Sequence, residues 1–67
     1  MQQTFFFKKN NKIEVEVFIK YVKDDSGMIS LEKLNIDGTE IYGTEIEQYH
    51  SSFANMYNYL KNMVFMG

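Results

Sequence analysis

The chain has 67 residues, with seven basic and nine acidic side chains, one His, no Cys, no Pro and no Trp, and a formal net charge of −2. A single domain of this size, spanning 1–67, buries only about 60% of the surface its unfolded chain exposes, and without Cys neither a disulfide nor a thiolate–metal site can add to its stability. All the basic residues are Lys, so the usual bidentate reader of phosphate and guanine is absent.

The charge is unevenly spread. Residues 1–23 carry five Lys against Glu14 and Glu16, a balance of +3, whereas residues 24–50 carry seven acidic residues against Lys33, a balance of −6. No apolar run approaches the ~18 residues of a transmembrane helix. The first residues lack a basic leader ahead of a signal-length apolar segment, so a cytoplasmic protein is expected.

In chain order, the first strand is expected at about 3–8, followed by Lys9-Asn10-Asn11-Lys12. Asn tolerates positive φ and suits a hairpin turn. A two-residue Asn-Asn loop would set Phe7 opposite Glu14 and Phe5 opposite Glu16. An odd loop of three residues, Lys9 to Asn11, sets Phe7 opposite Ile13 and Phe5 opposite Val15, gathering the apolar residues on one face.

The second strand, 13–22, has apolar residues at Ile13, Val15, Val17, Ile19 and Tyr21, a period of two with one buried face. Asp24-Asp25-Ser26-Gly27 is a turn leading to a third strand at 28–36, with Tyr21 paired to Ile29. Leu34 and Ile36 fall out of phase with Ile29 and Leu31, and a bulge near Glu32-Lys33 would restore it. Asp37-Gly38 is a two-residue turn signal that pairs Leu34 with Ile41 and starts a fourth strand at 39–42.

Beyond Gly43, apolar residues at Ile46, Tyr49, Phe53, Met56, Tyr57, Leu60, Met63 and Val64 fit one stripe of a helix at about 45–64. Thr44 and Glu47 have the spacing of a capping box. The expected fold is α+β: a four-stranded antiparallel meander with one C-terminal amphipathic helix packed on one face.

Catalysis, metal and cofactor binding find little to work with. His50, read as a helix residue, would be exposed or edge-packed, with Glu47 at i−3 as its one ligand-type neighbour. Asp24-Asp25-Ser26-Gly27 lacks the alternating acidic ligands and distal Glu of a calcium loop. Gly43-Thr44 is a single Gly followed by Glu45 and Glu47, which suit the helix dipole and repel an anion. No catalytic residue, metal or cofactor is expected, and the chain is not expected to be an enzyme.

Two surfaces remain as partner-binding candidates. The first is an acidic group, Asp37, Glu40, Glu45 and Glu47, able to compete for a basic groove on another protein. The second is aromatic, Phe18, Tyr42 and Tyr59, with Phe6 and Val22 on the same outer side of the sheet as Phe18. In size and composition, and in lacking a catalytic set, the chain resembles in type the small modulators encoded by phages and mobile elements. That likeness implies a larger host protein, one that handles nucleic acid or acts in defence, as the inhibited partner.

Two alternatives stand beside it. Lys8, Lys9, Lys12 and Lys20 could support single-strand binding, although Glu14 and Glu16 share that face and make nucleic acid the weaker expectation. A homodimer held by edge strands or by the outer sheet face is the other. No membrane partner is expected.

Overall fold

The structure, a computed structural model, describes residues 1–66. Strand β1 (Gln2–Lys9) pairs antiparallel with β2 (Ile13–Lys23), and β2 with β3 (Ile29–Ile36). The far edge of β3 carries two short partners, β4 (Thr39–Ile41) at one end and β5 (Tyr49–His50) at the other. Helix α1 (Phe53–Met66) closes the chain and packs on one face of the sheet. The expected α+β meander with a C-terminal helix is what forms, with β5 added. At about 3.3 Å per residue, the 11 residues of β2 account for the 38 Å long axis of the molecule.

Parity of the side chains decides the core. Val17, Ile19, Ile29, Leu34, Met56 and Leu60 are fully buried, joined by Phe7, Tyr21, Leu31 and Val64. Each such side chain contributes roughly 1.5–3 kcal/mol of transfer free energy. The odd positions of β1 and β2 supply this face, as their alternation requires.

The first hairpin reconciles turn chemistry with parity. Asn10 and Asn11 both have positive φ, 57° and 58°, and the Lys12 amide donates to the Lys9 carbonyl at 3.2 Å. These are the signs of a type I′ turn. Lys12 is then an extra residue before the ladder begins at Lys9↔Ile13. The loop is odd, as the apolar pattern demands, but the register is two residues away from the expected one. Phe7 faces Val15 and Phe5 faces Val17. A shift of two preserves the face, so the hydrophobic pattern cannot distinguish the two registers.

The same occurs in the second hairpin. Tyr21 pairs with Leu31 instead of Ile29, and Lys23 takes Ile29. The carboxylate of Asp24 organises that turn, with Oδ1 accepting from the Ser26 amide at 2.9 Å, the Ser26 hydroxyl at 2.6 Å and the Met28 amide at 3.0 Å. The bulge forms where the phase slips: Lys20 faces Lys33 while Tyr21 faces Leu31, leaving Glu32 as the extra residue. The Asp37-Gly38 turn also forms as expected, with φ of 51° and 82°, and pairs Leu34 with Ile41.

The helix does not start at 45. Residues Gly43–Glu45 form a single 3-10 turn, and the helix begins at Phe53. The expected Thr44/Glu47 capping box is absent because the chain is extended at Tyr49–His50. Had it been helical there, the edge of β3 at Ile29–Leu31 would lack a partner. Instead the Leu31 amide donates to the Gln48 carbonyl at 2.8 Å and Ile29 pairs with His50. Buried backbone groups must be paired, and that requirement outweighs the local helical pattern. The true N-cap is Ser52, whose Oγ accepts from the Asn55 amide at 3.2 Å, while the Asn55 side-chain amide reaches back to Ser51 Oγ.

Candidate functional surface

β4 and β5 are two ends of one interrupted strand. Both run antiparallel to β3: Thr39–Ile41 against Ile36–Leu34, and Tyr49–His50 against Ser30–Ile29. Between them the chain leaves the ladder at residues 42–47, alongside the bulge at Glu32. Ile41 and Ile46 bracket this excursion and pack against the core. Its base is tied further by the Tyr59 hydroxyl, which accepts a hydrogen bond from the Glu47 amide at 2.9 Å.

Tyr42, Thr44, Glu45 and Glu47 stand exposed on the excursion. Tyr42 is 67% accessible and extended, with φ −83° and ψ 155°, so by alternation from the core-facing Ile41 it takes the open face of the sheet. The Glu45 amide donates to the Tyr42 carbonyl at 2.9 Å, which closes the 3-10 turn directly after Tyr42.

The remaining candidates divide between this surface and other places. Glu40 lies on the open sheet face opposite Asn35, which in turn faces Phe18, whose other neighbour is Thr4. The structure thus puts Phe18, Glu40 and Tyr42 on one face. Phe18 is half-buried there. Glu40 is paired with Lys33 at 3.6 Å between exposed side chains. This pair relieves the direct opposition of Lys20 and Lys33 across β2 and β3.

Asp37 sits in the turn at the end of β3, and its carboxylate is engaged within the chain. Oδ1 accepts from the Glu16 amide at 2.9 Å, while the Asp37 amide donates to the Glu16 carbonyl at 2.8 Å. Tyr59 lies in the helix layer, half-buried, with its ring centroid 4.8 Å from that of His50. The acidic and aromatic candidates are one surface only in part: Glu40, Tyr42, Glu45 and Glu47 cluster around the excursion with Phe18 on the adjoining face, whereas Asp37 and Tyr59 serve the fold.

His50 differs most from expectation. It is a strand residue, 7% exposed, and the one buried polar side chain among the described residues. Its Nε2 lies 2.8 Å from the Glu47 carbonyl oxygen. A carbonyl can only accept, so Nε2 carries the proton and the imidazole helps to hold the base of the excursion. Asn35 was not marked by the sequence. Its Oδ1 is buried on the open face with no hydrogen-bond partner, and the one sequence signal for it was its polar character at an outward position in β3.

Among the described residues no cavity opens in the surface, no three His, Cys, Asp or Glu side chains converge as metal ligands, and no helix is long and apolar enough to cross a membrane. No family model, curated protein or solved structure matches this chain.

Proposed function

We propose that this chain is a small non-enzymatic binding protein that modulates a larger protein through the 42–47 excursion and the adjoining open sheet face. The observation that carries this reading is Tyr42: a large aromatic side chain, mostly in solvent, on a segment whose two ends are pinned to the core by Ile41 and Ile46. A Tyr held on a fixed base loses little conformational entropy on docking and is a common interface anchor. Glu45 and Glu47 are exposed on the same segment and carry negative charge beyond the Glu40–Lys33 pair on the adjoining strands, which favours a basic groove on the partner. A larger protein that handles nucleic acid offers such a groove, and occupying it would inhibit that protein.

The test is capture from nuclease-treated lysate of the native cell, with the wild-type chain compared with Tyr42→Ala and with Glu45→Lys/Glu47→Lys. One stoichiometric partner should be retained by the wild type, lost by Tyr42→Ala and weakened by the charge reversal, with thermal unfolding unchanged in both variants. Equal capture by all three would remove the excursion as the binding surface.

A further inference from the structure

The second surface of interest lies at the opposite edge of the sheet and is independent of the excursion. Among the described residues strand β1 pairs only with β2, leaving its other side as a free edge of eight residues. The phase of the ladder shows which backbone groups are free. The Tyr21 amide donates to the Met1 carbonyl at 2.8 Å, making Met1↔Tyr21 a hydrogen-bonded pair. Such pairs alternate along an antiparallel ladder, so residues 3, 5, 7 and 9 face β2. The N–H and C=O groups of Gln2, Thr4, Phe6 and Lys8 point outward with no strand to receive them.

Long free edges are usually blunted by Pro, bulges, inward charges or short length. β1 has none of these: its register against β2 runs without interruption from Gln2 to Lys9, and its Lys residues stand at one end. It is also lined by aromatic surface. Phe6 is 61% exposed on the open face, and on the helix side Tyr57 and Phe65 are 36% and 38% exposed. Tyr57 lies 5.3 Å from Phe5 and 5.5 Å from Phe7, and Phe65 lies 6.3 Å from Phe7, centroid to centroid. The aromatic strip therefore follows the edge itself on both faces.

We propose that β1 pairs antiparallel with β1 of a second copy, about a two-fold axis through Phe6, to make one continuous ten-stranded sheet. The strand is self-complementary in this register. Phe6 meets Phe6, Phe5 meets Phe7, and Lys8 and Lys9 meet Thr4 and Gln3, so no Lys opposes a Lys. The outward-facing even residues meet one another, as hydrogen-bonded pairing requires. Sliding the copies two residues one way sets Phe6 opposite Thr4 and Phe7 opposite Gln3. Sliding them the other way sets Phe5 and Phe6 opposite Lys9 and Lys8 and shortens the overlap.

A two-fold perpendicular to the sheet puts both helices on the same face, where Tyr57 and Phe65 approach their counterparts. At roughly 200 Å² for an aromatic side chain, Phe6, Tyr57 and Phe65 offer roughly 250 Å² per copy. Full burial of these rings would supply about half of the ~1,000 Å² total that a specific interface needs, and seven residues of paired strand backbone per copy add to it.

The experiment is sedimentation equilibrium of the full chain from about 1 to 100 μM, for the wild type, Phe6→Lys and Thr4→Pro, with circular dichroism melts of each. The Thr4 amide faces outward, so Pro there removes an edge donor while sparing the β1–β2 ladder. Phe6→Lys sets two like charges together at the two-fold axis.

The wild type should approach twice the 8.0 kDa chain mass, and each variant should dissociate at least tenfold more readily while melting cooperatively. A wild type that stays monomeric at 100 μM overturns the proposal and leaves the edge to a strand from another protein. So does a dimer that both variants leave intact, or assembly beyond a dimer. Should Thr4→Pro not fold, Phe6→Lys decides alone, because it changes an exposed side chain.

Discussion

Asp37 allows the sharpest separation of structure from binding. It combines a left-handed backbone, φ 51°, with a carboxylate oxygen 2.9 Å from the Glu16 amide. Asp37→Ala loses both features. An L-residue without a side-chain acceptor is penalised by about 1 kcal/mol in that conformation, and the exposed hydrogen bond contributes about 0.5–1 kcal/mol. The expected loss is therefore about 1.5–2 kcal/mol, or roughly 10 °C in Tm for a domain of this size.

Asp37→Asn keeps the tolerance of positive φ and an Oδ1 acceptor while removing the charge, and should lie within about 0.5 kcal/mol of wild type. Asp37→Gly removes only the acceptor and should fall between the two. The assay is thermal and urea unfolding followed by circular dichroism. A loss below about 0.5 kcal/mol for Ala, or an equal loss for Ala and Asn, would refute the assignment of Asp37 to the turn and return it to the acidic surface.

Further expectations follow from the same geometry. Ser52→Ala removes the helix N-cap and should cost about 1 kcal/mol, whereas Thr44→Ala, outside the helix, should stay within about 0.5 kcal/mol in the same unfolding assay. Leu60→Ala empties a fully buried site and should cost about 2–5 kcal/mol; this is comparable with the whole stability of a small domain, so its cooperative melt should be largely lost. Tyr59→Phe removes the acceptor for the Glu47 amide and should cost about 0.5–1.5 kcal/mol, read by urea titration.

Asp24 sets one pH dependence. Its pKa is held below the ordinary Asp value of 3.8, first by the Ser26 hydroxyl; desolvation, the next largest influence, opposes this, and the Met28, Ser26 and Gly27 amides add to the lowering. A depressed folded-state pKa stabilises fully above the unfolded value and loses that contribution as pH falls through the folded one. The stability gap between wild type and Asp24→Asn should therefore be constant above the ordinary value and narrow below it.

The strands were legible because burial is one-sided and the period is short. Val17 and Ile19 fall on the core face with no ambiguity, the phase slip at Leu34 required the bulge that Glu32 provides, and Asp37-Gly38 fixed its own register. Two-residue shifts in the first two hairpins were not legible, because they leave the same residues inside. The helix start was misread for a related reason. Ile46 does pack against the core, and Tyr49 and Phe53 follow it at spacings of three and four, so an extended segment against β3 mimics a helical stripe. The need of Leu31 for a backbone partner is a tertiary fact with no local signature. Ser51-Ser52 ahead of Phe53 was the available cue to the true cap.

Of the candidate surface, the exposure of Tyr42 was readable from its place after the Asp37-Gly38 turn, but the commitment of Asp37 and Tyr59 to the fold was not. Both bonds span the chain, to Glu16 and Glu47, and no pattern of charge or periodicity reports them. His50 was misplaced along with the helix start.

The two proposed surfaces occupy opposite edges of one sheet, and this has a consequence for binding. At about 4.8 Å between strands, the β4 strands of two copies joined through β1 would stand roughly 35 Å apart, each with its own Tyr42 excursion. A partner with a repeated or two-fold site could then engage both, and the second contact would form at a high effective concentration. Two variants separate the contributions. Tyr42→Ala abolishes the contact itself and should eliminate binding to an immobilised partner at any density. Phe6→Lys leaves each excursion intact, so it should match the wild type on a sparsely coated surface and dissociate faster on a dense one. Equal dissociation of Phe6→Lys and wild type at all densities would mean that the edge contributes nothing to partner binding, even if the chain dimerises.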